Sequence, residues 1–248
     1  MPEISPVYVG IEIVRSAGQL RRAFAYTALD KDLSLLALGC GDLDEVLAYL
    51  GGQQAAIAAV NAPRQPNSGS VNEVTNVAEN SPVNARLCEV LLREEGFKIN
   101  FTPDSVKACP GWMRRGFDLY KHLKAFDYVP NPGQECPRCI LETCADAVFW
   151  RLLGGKLPLP PSLEGRLQRQ LILQDQGLPL PDAMDFFMEI TRHRLIHGDL
   201  PDENIYSFEE LNALAAAYVA WRVGCQPDRI ELLGDADEGQ IALPIHPL

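Results

Sequence analysis

Short apolar runs alternate with longer amphipathic stretches along the chain, a pattern that predicts strands and helices in turn. Apolar runs bounded by turn residues predict strands at 7–14, 20–28, 33–38, 55–60, 138–142 and 230–233, with a further short strand at 98–101. Apolar positions at helical spacing predict helices at 42–50, 84–95, 112–126, 145–153, 162–176, 183–196 and 207–224. A polar stretch at 64–82, rich in Asn, Ser and Pro, predicts a long mobile loop.

The order of these elements predicts an α/β fold. Turn residues at 16–19 and at 30–32 connect the first three strands into an antiparallel meander. The continuous apolar run at 55–60 follows a helix, which is typical of a buried parallel strand after a crossover. Three antiparallel strands followed by parallel strands and helices is the order of the ribonuclease H-like fold. We therefore expect a single domain over residues 1–248, with a mixed sheet, flanking helices and helical insertions.

The composition and charge of the chain indicate which classes of molecule it is expected to bind. The chain has 248 residues, is 47% hydrophobic and carries a net charge of -11. Its size and hydrophobic content are ordinary for a globular protein with a substantial core. The negative charge disfavours nucleic acid as a partner, because binding a polyanion relies on Lys and Arg. No apolar run approaches the roughly 18 residues of a membrane span, so we expect no membrane association. Nucleic acid stays open if the chain has a local basic patch, and a protein or a small anion is the other class of partner.

The number of cysteines helps to predict the cellular compartment of the protein. There are seven cysteines, an odd number, and the N-terminus shows no signal-peptide pattern. Both features predict reduced thiols in a cytoplasmic protein. Cys136 and Cys139 form a CxxC motif, but no second pair is present to complete a zinc site. A structural metal and redox activity stay open for this pair, and inert thiols are the default expectation.

Two acids and two amides stand at the ends of predicted elements. Glu12 lies on the first strand, Asn61 directly follows the 55–60 strand, Glu142 ends the strand at 138–142, and Asn212 lies on the Ala-rich helix near the C-terminus. In α/β folds, catalytic and binding residues commonly lie at the ends of apolar strands. These four positions are therefore our candidate catalytic residues.

The chain resembles the DUF429 family, whose members have a predicted ribonuclease H-like nuclease fold. The segments that carry the resemblance are Val9-Gly10-Ile11-Glu12, Val60-Asn61-Ala62-Pro63, Arg86-Leu87-Cys88-Glu89, Glu142-Thr143-Cys144-Ala145 and Leu211-Asn212-Ala213-Leu214. They span nearly the whole chain. The family usually has acids at the positions of Asn61 and Asn212, and His-Pro at Cys144-Ala145. Only Glu12 and Glu142 therefore keep a carboxylate at the site that the resemblance implies.

A nuclease site of this type would hold Mg²⁺ or Mn²⁺, which prefer anionic oxygen ligands. Glu12 and Glu142 are the candidate metal ligands, with Asn61 and Asn212 as neutral ones. Because two of four acids are replaced, we expect one weakly held ion at most. Two functions stay open: a metal-dependent nuclease or phosphodiesterase, and a non-catalytic relative that binds a small anion or a protein.

Arginines form a second candidate site. Arg166 and Arg169 lie on one helical face, and Arg86 lies on the helix predicted at 84–95. Arginine grips phosphate or carboxylate through two parallel hydrogen bonds. These three residues would form an anion clamp beside Glu12 and Glu142. Alternatively, they would lie on a solvated face, or they would pair with those acids and neutralise them.

Overall fold

The computed structural model describes residues 5–15, 22–68, 73–76, 81–130, 136–185 and 204–245. The strands are β1 (Val7–Ile13), β2 (Phe24–Leu29), β3 (Leu35–Gly41), β4 (Ala56–Asn61), β5 (Glu73–Asn76), β6 (Ser81–Asn84), β7 (Arg138–Glu142), β8 (Ile230–Leu233) and β9 (Ile241–Pro244). The helices are α1 (Leu43–Gly51), α2 (Leu87–Glu94), α3 (Gly111–Ala125), α4 (Ala145–Leu153), α5 (Leu163–Asp175) and α6 (Phe208–Cys225). Most of the helix predicted at 183–196 lies outside the described residues.

A seven-stranded mixed sheet organises the fold, with the strand order β3-β2-β1-β4-β7-β9-β8. The pairs β1–β2 and β2–β3 are antiparallel, whereas β1–β4 and β4–β7 are parallel. Strand β9 lies parallel to β7, and β8 returns antiparallel to β9 at the edge. The predicted α/β architecture, with antiparallel strands first and parallel strands next, is confirmed.

Two apolar cores cover the two faces of the sheet. One face of β1 contributes Tyr8 to a core formed mainly with α4, α5 and α6. The other face contributes Val9, Ile11 and Ile13 to a core formed with α1 and α3. The alternation follows from strand geometry, since successive side chains point to opposite faces.

Helix α6 lies directly against β1. Its residues 211–220 are buried, as expected for an Ala-rich segment packed between other elements. A Cβ atom on Gly10 would lie 2.0 Å from the Ala213 carbonyl oxygen and 2.1 Å from the Ala217 nitrogen. Only glycine at this position lets the backbones of helix and strand approach so closely.

Capping residues fix the starts of two helices. Asp42 accepts a hydrogen bond from the Glu45 backbone N–H, and the Glu45 carboxylate accepts one from the Asp42 N–H. Ser207 and Glu210 form the same reciprocal arrangement at the start of α6. Both are capping boxes, which satisfy backbone donors that a helix terminus leaves unpaired.

Three predictions about the backbone are wrong. Residues 98–101 form no strand. The stretch at 64–82, predicted as a loop throughout, includes β5 and the start of β6, which pair as an antiparallel hairpin. The tail after 233, where we predicted no strand, contains β9, which is fully buried between β7 and β8. Pro244 occupies the last position of β9, where little hydrogen bonding is lost.

Cys136 and Cys139 form a disulfide at the start of β7, so the prediction of reduced thiols is wrong for this pair. The other five cysteines are free. None of the helices in the described part of the chain has the length and hydrophobicity that a membrane-spanning helix needs.

Candidate functional site

Glu12 and Asn61 are direct neighbours across the parallel pair β1–β4. Because paired residues on parallel strands face the same side of the sheet, both side chains project toward α6. The Asn61 Nδ2 donates a hydrogen bond to Glu12 Oε2. Its Oδ1 accepts one of 3.0 Å from the backbone N–H of Ala145, the first residue of α4. Asn61 therefore ties the end of β4 both to Glu12 and to the helix that follows β7.

Asn212 is brought to the same place by the close packing of α6 on β1. Its side chain is 1% exposed and lies close enough to Glu12 to influence its ionisation. Neither its nitrogen nor its oxygen makes a well-formed hydrogen bond to another described residue. Glu12, Asn61 and Asn212, which we call the buried trio, thus form one cluster with a single carboxyl group.

The carboxyl group of the buried trio holds its proton at neutral pH. Complete burial raises the pKa of Glu12 from 4.5 to about 8, against the opposing effects of the Asn61 hydrogen bond and the Arg15 charge. A protonated carboxyl can both donate and accept a hydrogen bond, and the Asn61 and Asn212 amides are its polar neighbours in the trio. The trio therefore acts as a neutral hydrogen-bonding cluster instead of an anionic cage.

Glu142 belongs to the other face of the sheet. Its partner on β4 is Val60, one residue before Asn61, so its side chain points away from the buried trio. The pKa of Tyr120, on α3, is raised by burial and by the Glu142 charge, which places that charge on the α3 side. The structure thus brings together three of the four candidate catalytic positions and separates the fourth.

Arg86 donates hydrogen bonds to both carboxylate oxygens of Glu142. Its two terminal nitrogens donate to Glu142 Oε2 at 3.0 Å and to Oε1 at 2.7 Å. The backbone N–H of Arg64 adds a third hydrogen bond to Oε2, at 3.1 Å. Arg86 and Glu142 are 2% and 4% exposed, so this is a buried, bidentate ion pair. Both oxygens that a metal would need are already bound.

Glu89 shares the same guanidinium. Its Oε1 accepts from Arg86 Nε at 2.9 Å, and its carboxylate also accepts from the backbone N–H and the hydroxyl of Thr102. Glu89 was not among the predicted site residues, although its position three residues after Arg86 was a usable signal. Arg86 is therefore shared between two buried carboxylates.

The predicted arginine clamp does not assemble as one unit. Arg86 pairs with Glu142, whereas Arg169 donates to Asp146 at 3.1 Å and stacks on Phe149. Arg166 lies half-buried on α5 and does not line the cavity described next. The predicted pairing with Glu12 or Glu142 is therefore found for Arg86, whereas Arg169 pairs with Asp146, which was not among the predicted acids.

A cavity of about 120 Å³ lies beyond the carboxyl ends of β4 and β7. Asn61, Arg86, Glu142 and Asp146 are among the polar groups that line it. Three further lining residues, which the sequence analysis missed, are Arg15, Lys98 and Trp112. They come from segments next to strand and helix ends, and no local pattern marks them.

Arg15 and Lys98 are the available cations of this cavity. Both side chains are exposed, and neither makes an ion pair or hydrogen bond with any described residue. The Arg15 guanidinium lies 4.6 Å from the ring centroid of Trp112, which steadies it through a cation–π contact. Cys144 also lines the cavity, but burial raises the pKa of its thiol to about 12, so it is no nucleophile at neutral pH.

The described residues contain no cluster of three or more His, Cys, Asp or Glu that could hold a metal ion. Glu12 and Glu142, the predicted metal ligands, are held apart by the register of β1, β4 and β7. No family model matches the chain, and no curated protein or solved structure is significantly similar to it.

Proposed function

We propose that this chain is a DUF429-type, ribonuclease H-like module that binds a small anion and does not cleave phosphodiesters. The observation that carries the proposal is the buried bidentate pair between Arg86 and Glu142. It removes one of the two remaining acids from metal binding, and the other acid, Glu12, is neutral at pH 7. The strand order and the placement of Asn212 against Glu12 support the ribonuclease H-like part of the proposal.

The cations support anion binding. Arg15 and Lys98 face the cavity without acidic partners among the described residues. A site that held Mg²⁺ would instead need an excess of anionic oxygens. The charge at this end of the sheet therefore favours an anionic ligand over a cation.

Calorimetric titration tests the two functions against each other. We expect no binding of Mn²⁺ at micromolar concentrations to the wild-type protein, because its carboxylates are paired or protonated. We also expect at least one anion from a panel of phosphate, sulfate, acetate and benzoate to bind, with weaker binding to Arg15→Gln. Arg114→Gln, an exposed arginine that does not line the cavity, is the matched control.

Micromolar Mn²⁺ binding that Glu142→Gln abolishes would overturn the proposal. It would favour the alternative, a metal-dependent nuclease or phosphodiesterase that uses Mg²⁺ or Mn²⁺.

A further inference from the structure

The cavity lining indicates which class of anion fits. Resting on the proposed function, we infer that the ligand is a small monocarboxylate with a flat apolar ring. The charge of the lining, the apolar wall and the cavity size each lead to one part of this description.

The side chains around the cavity leave one net positive charge, which matches one negative charge on the ligand. Arg86 neutralises one of its two carboxylates, Glu89 and Glu142, which leaves one negative charge. Asp146 is neutralised by Arg169. Arg15 and Lys98 add two positive charges, and the lining is left with one.

A monoanionic ligand neutralises this positive charge, whereas a dianionic ligand would leave an uncompensated negative charge next to Glu89 and Glu142. Excess charge in a partly buried site is costly. The lining therefore favours a carboxylate over a phosphate monoester or inorganic phosphate.

The position of Arg15 suits a carboxylate in particular. Its guanidinium stacks on Trp112, and its N–H groups have no other acceptor among the described residues. A planar guanidinium edge matches the two oxygens of a carboxylate. Lys98, exposed beside it, adds a single charge at the mouth of the cavity.

The other part of the lining is apolar. Phe97, Ile99, Trp112 and Met113 all line the cavity, and the Phe97 ring is held in place against Trp150 at 5.9 Å. Aromatic walls favour a flat ring through stacking and edge-to-face contacts. The ring of the ligand would lie among these side chains with its carboxylate toward Arg15.

The size of the cavity matches a ligand of about one ring. Its volume of about 120 Å³ is well below the roughly 300 Å³ at which sites for drug-sized ligands begin. A nucleotide or an extended peptide would extend out of this volume into solvent.

Benzoate is the probe, and calorimetry on the full chain is the measurement. Three analogues each lack one feature: benzamide has no charge, acetate has no ring, and phenyl phosphate is a dianion. We expect benzoate to bind at least about tenfold more tightly than each analogue. Arg15→Gln and Trp112→Leu should weaken benzoate binding by about tenfold or more, because each removes one recognised contact.

Arg114→Gln and Lys121→Gln, which lie on exposed positions of α3 outside the cavity lining, should leave benzoate binding unchanged. Tighter binding of phosphate or phenyl phosphate than of benzoate would overturn this inference and leave the proposed function standing. Equal binding of acetate and benzoate would overturn the ring requirement. If no anion binds, both the inference and the proposed function fail.

Discussion

Arg86 grips both carboxylate oxygens of Glu142 in a site where neither residue is more than 4% exposed. A carboxylate at the end of a strand can have either of two roles, and this pair decides which of them Glu142 has. A free carboxylate would be a ligand for a cation, whereas a carboxylate fixed by arginine is a structural group that also sets the local charge. The pair therefore leaves neither Glu142 oxygen at the end of β7 free to bind a metal.

Removing one member of this pair should destabilise the protein strongly. We expect Arg86→Gln to lower the free energy of unfolding by about 3–5 kcal/mol, because two buried carboxylates lose their counterion. Urea denaturation at pH 7 measures the loss. Glu231→Gln is the matched control, since Glu231 pairs with buried Arg151 but is 48% exposed, and its loss should stay below about 1 kcal/mol. Equal losses in the two variants would contradict the role assigned to the Arg86–Glu142 pair.

The raised pKa of Glu12 predicts a pH-dependent stability. The unfolded chain releases this proton near pH 4.5, whereas the folded protein keeps it until about pH 8. The folded state binds more protons in this window, so stability falls as pH rises through it. Glu12→Gln should remove that part of the pH dependence, with a gain of up to about 5 kcal/mol above the window.

Urea denaturation from about pH 5 to about pH 9 measures this effect on wild type and variant. Glu94→Gln, on the exposed side of α2, is the control and should keep the wild-type slope. A Glu12→Gln slope that matches the wild type would show that Glu12 is ionised in the folded protein.

A side chain at Gly10 should force α6 away from β1. Gly10→Ala places a methyl group 2.0 Å from a helix carbonyl oxygen, so we expect a loss of about 3 kcal/mol in unfolding free energy. Gly39→Ala is the matched control on β3, where the new methyl would meet the Tyr26 ring at an ordinary 3.5 Å. Thermal unfolding compares the two. A Gly10→Ala protein as stable as Gly39→Ala would contradict the close helix–strand contact.

Restoring acids to the buried trio should create a metal site. Asn61→Asp with Asn212→Asp would place three carboxylates together, which we expect to destabilise the metal-free protein through like-charge repulsion. Millimolar Mn²⁺ should recover stability in the double variant and leave the wild type unaffected, as linkage requires of a ligand that binds only the folded state. Thermal unfolding with and without Mn²⁺ measures the recovery. Its absence would argue against a ribonuclease H-like geometry at the trio.

The sequence predicted most of the sheet because local pattern and tertiary position agree there. β1, β4, β7 and α6 lie within a few residues of their predictions, since each is an apolar run or a capped helix. β9 was missed because its four residues carry too little periodicity to separate them from an irregular tail. Its assignment depends on pairing with β7 and β8, which no local pattern encodes.

The sequence predicted which residues lie together at the site only where the strand register could be inferred. Glu12, Asn61 and Asn212 follow from the ends of their own elements. Glu142 was placed with them because it ends a neighbouring strand, but a shift of one residue reverses the face on which a side chain lies. Its pairing with Val60 instead of Asn61 decides its chemistry. Arg15, Lys98 and Trp112 meet only through tertiary packing, so no spacing along the chain could have shown them.

The insertion of β9 between β7 and β8 also has a kinetic consequence. Sheet formation cannot be completed until residues 241–244 have been synthesised and β9, already paired with β8, has docked on the edge of β7, about a hundred residues upstream. Such long-range pairing slows folding, because a large loop must close before the contact is gained. Until then β7 presents an unpaired edge, and nascent chains would be open to edge-to-edge association. The last strand in the described chain therefore covers the edge of β7 and completes the sheet.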